Sequence, residues 1–154
     1  EQRAVYEVVL EAQYAAIDAV RPGNHWNHPH EAALRVLTGG LIDLGILSGT
    51  VDDAIASEAF KPFFMHRTGH WLGLDVHDVG DYKIGDAWRL LEPGMALTVE
   101  PGLYISPGNT DVDEKWRGIG IRIEDDVVVT HEGHHVLTNG VPKTIEEIEA
   151  LMAG

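Results

Sequence analysis

The sequence predicts an α+β domain, with helices in its first part and short antiparallel strands in its second part. Apolar residues recur at helical spacing from Val5 to about Ile46, which indicates amphipathic helices. From Phe63 onward, short apolar runs alternate with Gly and Pro, a pattern typical of strands and turns. No low-complexity linker interrupts the chain. We therefore expect one domain in which helices cover one face of a curved sheet.

Four helices are predicted, and three of them have a recognisable N-cap. Asn27 can cap the second helix, and the pairs Thr50–Asp53 and Thr144–Glu147 have the spacing of a capping box. The first helix ends where Pro and Gly follow each other. The predicted helices cover residues 1–20, about 29–46, a short segment that begins at Thr50, and 144 to about 152.

The strands are predicted where apolar runs lie between turn-forming residues. Glu132-Gly133 marks a hairpin turn between the last two of them. The predicted strands are Gly69 to Leu74, Ala96 to Glu100, Leu103 to Ser106, Gly118 to Glu124, Asp126 to Thr130 and His135 to Leu137.

The composition excludes several classes of function. With 25 acidic and 11 basic residues among 154, the chain has a formal net charge of −14. Nucleic acids and anionic membranes attract positive charge, so neither is an expected partner. The absence of cysteine excludes disulfides, thiolate metal ligands and a cysteine nucleophile. No apolar run approaches the roughly 20 residues that span a bilayer, and a cytoplasmic location is the expectation.

Two glutamates occupy positions where a core strand normally has an aliphatic residue. Glu100 ends the run Ala96-Leu97-Thr98-Val99, and Glu124 ends an isoleucine-rich run in which Arg122 lies on the same face. Burial of an ionised carboxylate is unfavourable unless a cation or a strong donor compensates it. His70, at the entry to an upstream strand, completes a ligand set that suits a divalent metal ion. The sequence therefore predicts a metal site at His70, Glu100 and Glu124.

Other histidines flank this candidate site or lie far from it in the sequence. His66 and His77 can act as a general acid, a proton shuttle or an oxyanion donor near neutral pH. The remaining six are expected at the surface. They are His25, His28, His30, His131, His134 and His135.

Three segments together are similar to the signature motifs of the Xaa-Pro aminopeptidases (aminopeptidase P). They are His66–Gly80, Leu91–Tyr104 and Gly120–Asp125, and they occur in the family's order. With prolidase and methionine aminopeptidase, this family shares the pita-bread (creatinase/aminopeptidase-like) fold. The resemblance implies a partial pita-bread fold: a curved antiparallel sheet with helices on its outer face.

The resemblance also implies a site for two divalent metal ions, with manganese expected first and cobalt, zinc or iron as alternatives. In this family two Asp, one His and two Glu hold the metals, and a metal-bridged hydroxide attacks the peptide. His70 matches the histidine ligand, Glu100 the first glutamate and Glu124 the bridging glutamate. Glu100 can in addition relay the proton of the attacking water.

Three further residues match functional positions of the family. His66 and His77 match the two histidines that contact the substrate and transfer protons. Arg122 matches the arginine that braces the metal carboxylates. The implied substrate is a peptide with proline in its second position, and the implied enzyme is a homo-oligomer.

The two Asp ligands of the family precede the helix with which this sequence begins. Residues 1–154 are therefore expected to be the C-terminal part of a pita-bread catalytic domain, without the upstream strands and the separate N-terminal domain of longer members. A companion fragment that supplies the two Asp is an expected partner, and the isolated chain could be inactive.

Two alternatives remain open. Prolidase, which cleaves only Xaa-Pro dipeptides, has similar motifs, although the segment His70–Asp75 favours the aminopeptidase. A non-catalytic peptide-binding module of the same fold is the other alternative. Such relatives usually lose ligands, whereas the predicted ligands are intact here.

Overall fold

The first two helices of the chain lie side by side, and the first also contacts strands of two small antiparallel sheets. The computed structural model describes all residues from 1 to 154. The helices are α1 (Gln2–Asp18), α2 (His28–Asp43), α3 (Val51–Ala56) and α4 (Ile145–Met152). The strands are β1 (Lys83–Ile84), β2 (Ala87–Trp88), β3 (Ala96–Val99), β4 (Gly102–Tyr104), β5 (Gly120–Arg122), β6 (Asp125–Val129) and β7 (His134–Val136).

The first two helices pack through the apolar stripes that the sequence predicts. Val5 and Val9 of α1 and Leu37 and Leu41 of α2 are fully buried in one hydrophobic core. Gly40 allows the two helices to approach closely, because a Cβ atom there would lie 2.3 Å from a methyl carbon of Val8. A glycine that weakens an isolated helix therefore serves the packing of this helix pair.

All four predicted helices are present, although α1 and α2 end before the predicted residues 20 and 46, and one predicted cap is wrong. The hydroxyl of Thr144 accepts from the backbone amide of Glu147, whose carboxylate accepts in return, which completes the capping box of α4. The hydroxyl of Thr50 likewise accepts from the amide of Asp53. Asn27 occupies the N-cap position of α2, but its side chain makes no capping bond. It contacts the side chains of Glu31 and Arg67 instead.

Three antiparallel sheets hold the strands, and none has more than three of them. The strand order of the largest is β3-β6-β7, and the other two are the pairs β4-β5 and β1-β2. Val99 pairs with Asp125 at one end of the β3–β6 ladder. The turn at Glu132-Gly133 joins β6 to β7 as predicted, and the amide of Thr130 donates to the carbonyl of Gly133. The α+β architecture is therefore confirmed.

The strand predicted over residues 69–74 is wrong. This segment follows β3 only briefly: Trp71 forms an isolated bridge with Leu97, and the amide of Leu72 donates to the carbonyl of Ala96. The chain then turns back, because the carboxylate of Asp78 accepts from the amide of Leu74 at 3.0 Å. The backbone amide that donates to Asp78 is therefore not available to extend the pairing of this segment with a strand. The short strands β1 and β2 were not predicted.

Three other strand predictions are too long, and one of them, Leu103 to Ser106, extends two residues beyond the end of β4 at Tyr104. β3 ends at Val99 and β5 ends at Arg122, so Glu100 and Glu124 lie immediately outside strands. None of the four helices combines the length and apolar character that crossing a bilayer requires.

Candidate metal centre

Residues from three separate segments meet at one end of the β3–β6 ladder. Because Val99 and Asp125 are paired there, the next residue along β3 and the residue before β6 emerge at the same edge. These residues are Glu100 and Glu124. His70 joins them from the segment beside β3. The backbone carbonyl of His70 accepts from the amide of Thr98 at 3.0 Å. One ligand atom from each of His70, Glu100 and Glu124 lies within 4.8 Å of the others.

The imidazole of His70 has the orientation that a metal ligand needs. Its Nδ1 lies 2.9 Å from the carbonyl oxygen of Trp71, so Nδ1 carries the proton and donates. Its Nε2 then holds a free lone pair and lies 3.4 Å from Oε1 of Glu100. A backbone carbonyl that fixes the tautomer of a ligating histidine is a recurring feature of metal sites.

Glu100 is mostly buried, and several donors surround it. Its side chain is 12% exposed, and one carboxylate oxygen accepts from the hydroxyl of Thr98 at 3.1 Å. Nη1 of Arg122 lies 3.4 Å from the other oxygen. The backbone amide of Glu100 donates to the carbonyl of Thr68 at 2.7 Å. These contacts fix the position of the carboxylate while one oxygen still faces His70.

The prediction of a second buried carboxylate at Glu124 is wrong. Glu124 is exposed, and the fully buried carboxylate belongs to its neighbour, Asp125. The pKa of Glu124 is nevertheless raised by partial burial and by the nearby charge of Glu100, with Arg122 and His70 acting in the opposite direction. A carboxylate whose ionisation a neighbouring carboxylate opposes favours a bound cation.

A hydrogen-bonded chain connects His66 to the same site through a residue that was not predicted. Nδ1 of His66 donates to the carbonyl of Arg67 at 2.7 Å, which leaves Nε2 to accept from the hydroxyl of Tyr104 at 2.9 Å. That hydroxyl accepts from Nε of Arg122 at 2.8 Å. This hydrogen bond, with the charge of Glu100, raises the pKa of Arg122. Tyr104 lies four residues after Glu100 in the sequence, and this proximity is the signal from which its place at the site could have been predicted.

Arg122 therefore differs from its predicted role in one respect. The prediction placed Arg122 and Glu124 on one face of a strand, but β5 ends before Glu124. The guanidinium instead lies against Glu100 and Tyr104. Its contact with a carboxylate of the candidate site is nevertheless present.

His77 lies beside the site on an exposed loop. Its ring centroid is 4.2 Å from that of His70, and the two rings are tilted by 58°. His77 is exposed, whereas His66 is half-buried. The structure thus brings all six predicted site residues to one region. Those residues are His66, His70, His77, Glu100, Arg122 and Glu124.

The prediction that the other six histidines lie at the surface is wrong for four of them, because His25, His28, His30 and His134 are half-buried. His30 is half-buried, and burial, followed by the charges of Arg67 and His66, lowers its pKa to about 4. His134 is also half-buried, with Nδ1 at 3.0 Å from the carbonyl oxygen of Val20. The rings of His30 and His134 sit against backbone or side-chain partners of other elements, which sequence spacing does not reveal.

A second group of potential ligands consists of His25, His28 and Glu31. The backbone amides of His25 and Asn27 donate to Nδ1 of His28 and Nδ1 of His25, at 2.9 and 3.2 Å. A neutral imidazole that accepts at Nδ1 carries its proton on Nε2, so neither ring has a second lone pair for a metal. The stacked pair of histidines is therefore a weaker candidate than the site at Glu100.

Comparisons with known proteins agree with this geometry. Residues 1–131 match the sequence model of metallopeptidase family M24. The Xaa-Pro aminopeptidase of Haemophilus influenzae is 52% identical over 151 residues, and the human Xaa-Pro dipeptidase is 42% identical over 182. The structure of Pseudomonas aeruginosa aminopeptidase PepP matches with a TM-score of 0.96 at 68% identity. This similarity confirms the expected partial pita-bread fold.

The chain spans about a third of the length of these proteins. The alignments cover 98% of this chain and 35% of the Haemophilus protein, and 100% of this chain and 37% of the human protein. The structural match covers 98% of this chain and 34% of the Pseudomonas chain.

Proposed function

The chain belongs to metallopeptidase family M24, and on that premise we propose that the natural protein carrying it releases the N-terminal residue from peptides with proline in the second position. The observation that carries the proposal is the convergence of His70, Glu100 and Glu124, with ligand atoms within 4.8 Å of one another. Relatives named Xaa-Pro aminopeptidase support the choice of substrate.

The donor set fits a divalent metal ion. One imidazole with a free Nε2 and two carboxylates would hold manganese, with cobalt, zinc or iron as alternatives. In this proposal residues 1–154 are the C-terminal part of the catalytic domain, and another segment or a companion fragment supplies two Asp ligands. A pair of divalent ions there supplies Lewis acidity and lowers the pKa of bound water.

The chain's own residues then have separate tasks. Glu100 accepts the proton of the attacking water, and Arg122 holds that carboxylate in place from 3.4 Å. His66 can exchange a proton with the hydroxyl of Tyr104, which lies 2.9 Å from its Nε2. His77 is exposed beside His70 and is free to protonate the proline nitrogen as it leaves. Positioned proton transfers of this kind typically contribute about 10²- to 10⁴-fold to the rate.

The test measures metal content and peptide cleavage together. The natural protein is expected to bind Mn²⁺ and to release the first residue of an Xaa-Pro-Yaa tripeptide. His70→Ala and Glu124→Ala are expected to lose both properties. His131→Ala is the matched control, because it removes an exposed imidazole on the hairpin turn. Unchanged Mn²⁺ stoichiometry in His70→Ala and Glu124→Ala would refute the proposed site.

A second candidate is Xaa-Pro dipeptidase activity, since the human dipeptidase covers this whole chain at 42% identity. An enzyme of that kind would cleave Xaa-Pro dipeptides and leave the tripeptide intact. A non-catalytic peptide-binding module is less favoured because His70, Glu100 and Glu124 are all present. It would bind the tripeptide without releasing its first residue.

A further inference from the structure

A buried polar cluster lies directly behind the two candidate metal carboxylates, and no role described above uses it. Its members are Gln13 on α1, Asp125 at the start of β6 and Lys143 just before α4. Gln13 is 0% exposed, and so is the side chain of Asp125. Polar side chains are rarely buried so completely unless hydrogen bonds hold them.

The side-chain nitrogen of Gln13 bridges the two strands that lead to the site. Nε2 donates to the carbonyl oxygen of Val99 at 3.0 Å and to Oδ2 of Asp125 at 2.8 Å. A carbonyl and a carboxylate can only accept, so the amide must present its nitrogen to both. Val99 and Asp125 are paired residues of the β3–β6 ladder. One donor group therefore joins both strands at this end of the ladder.

This pair determines where the candidate ligands lie. Glu100 follows Val99 in the chain, and Glu124 precedes Asp125. Any shift between the paired residues therefore moves one carboxylate relative to the other. Metal–ligand distances tolerate changes of only about 0.2 Å. The hydrogen bonds of Gln13 consequently control the separation of the two carboxylates, and binding of a shared metal ion is most sensitive to that separation.

The other side of Asp125 is held equally firmly. Nζ of Lys143 lies 2.9 Å from Oδ1, and the hydroxyl of Thr138 donates to the same oxygen. Nζ also donates to the carbonyl oxygens of Thr138 and Val141, both at 3.1 Å. Because these donors occupy Oδ1, the carboxylate cannot turn away from Gln13.

The hydrogen bonds of the Gln13 side chain are all made by its nitrogen. Its Oε1 is buried and makes no hydrogen bond, which lowers the stability of the fold. An apolar side chain of similar volume would avoid that cost, but it would also remove the donor from the carbonyl of Val99 and from the buried carboxylate of Asp125. The gain must then come from what the nitrogen holds in place.

We propose that Gln13 is a positioning residue that fixes the separation of Glu100 and Glu124 by joining Val99 to Asp125. This inference rests on the proposed metal site. Gln13 lies on α1 and makes no hydrogen bond to either candidate ligand side chain. Its effect on metal binding is exerted entirely through the strand ends.

The experiment compares Mn²⁺ binding by the intact natural protein and two variants, by titration calorimetry and by the electron paramagnetic resonance spectrum of bound Mn²⁺. Gln13→Met keeps the approximate volume and removes both hydrogen bonds. We expect it to bind Mn²⁺ about 10- to 100-fold more weakly, with an altered spectrum. Thr38→Val is the matched control. Thr38 lies on α2, and the substitution removes a fully buried hydroxyl that has no hydrogen-bond partner. This variant should bind Mn²⁺ like the natural protein.

Glu124→Gln separates failure of this inference from failure of the proposed function. If Glu124→Gln binds Mn²⁺ normally, the metal site is wrong and the role of Gln13 fails with it. If Glu124→Gln loses Mn²⁺ while Gln13→Met keeps the natural affinity and spectrum, only the role of Gln13 is overturned. Should Gln13→Met not fold, Gln13→Asn decides the question, since it retains an amide but shortens its reach. Natural Mn²⁺ affinity in Gln13→Asn would overturn the proposal, and a tenfold loss would support it.

Discussion

Nδ1 of His30 and the hydroxyl oxygen of Thr68 lie 2.8 Å apart, and this contact ties α2 to the segment that carries His70. Thr68 is buried, and its carbonyl accepts from the backbone amide of Glu100. The helix layer is therefore connected to two candidate metal ligands through one threonine. Burial of His30 beside this contact makes the fold sensitive to pH.

Acidification is expected to destabilise the fold through His30. Burial, followed by the charges of Arg67 and His66, lowers the pKa of His30 from 6.5 to about 4. The unfolded chain therefore binds a proton near pH 6.5, whereas the folded chain binds it only near pH 4. The unfolded state holds more protons between these values, so the free energy of unfolding falls as the pH drops through this window. The loss from this group is at most about 3 kcal/mol and is complete below pH 4.

Urea unfolding of the natural protein and of His30→Gln across pH 4 to 7.5 tests this dependence. Carboxylates titrate in both proteins, so the difference between their two profiles isolates His30. The variant should lose less stability on acidification. His131→Gln, at an exposed position, should follow the natural profile. Parallel profiles for the natural protein and His30→Gln would contradict the assignment.

Lys143→Met is expected to lower the free energy of unfolding by about 3–5 kcal/mol, because it leaves a buried carboxylate without its cation. The side chain of Asp125 is 0% exposed and that of Lys143 is 13% exposed. Lys61→Met is the matched control. Its ion pair with Glu58 is about 57% exposed on the lysine side, and such pairs contribute about 0–1 kcal/mol. Equal losses in urea unfolding of the two variants would show that burial of Asp125 does not govern the effect.

Gly69→Ala is expected to cost about 1–3 kcal/mol of stability through overpacking. A Cβ atom at Gly69 would lie 2.1 Å from the carbonyl oxygen of Thr98, which belongs to β3 and cannot move independently. Because His70 is the next residue, Mn²⁺ binding should weaken as well. Gly133→Ala is the control, since nothing lies within 4 Å of its Cβ position. If urea unfolding gives both variants the free energy of unfolding of the natural protein, the close approach of Gly69 to the carbonyl of Thr98 is ruled out.

Tyr104→Phe is expected to lower kcat for the Xaa-Pro-Yaa tripeptide by about 10- to 100-fold, with little change in the free energy of unfolding. The variant removes the hydroxyl that connects Arg122 to His66 and leaves the ring in place. Tyr14→Phe, at a half-exposed position on α1, is the control and should retain full activity. If steady-state kinetics show the natural kcat in Tyr104→Phe, the hydroxyl has no role in proton transfer.

Local signals in the sequence predicted the elements whose structure depends on neighbours in the chain. The capping box at Thr144 and Glu147 and the turn at Glu132-Gly133 use contacts within a few residues, and both form as predicted. The strand over residues 69–74 failed because Asp78 turns the chain back, a contact that no propensity encodes. Asn27 failed as a cap because Arg67, distant in the sequence, competes for its side chain.

The sequence by itself determined the fold class, the four helices, most of the strands and the residue types that meet at the candidate site. Periodicity and motif spacing can be determined from the linear sequence, and they are sufficient for these predictions. Only the tertiary structure decided that Asp125 rather than Glu124 is the buried carboxylate, and that Gln13 and Tyr104 stand behind the candidate ligands. Burial and hydrogen bonding between distant segments depend on how α1, β3 and β6 pack, and that packing exists only once the chain has folded.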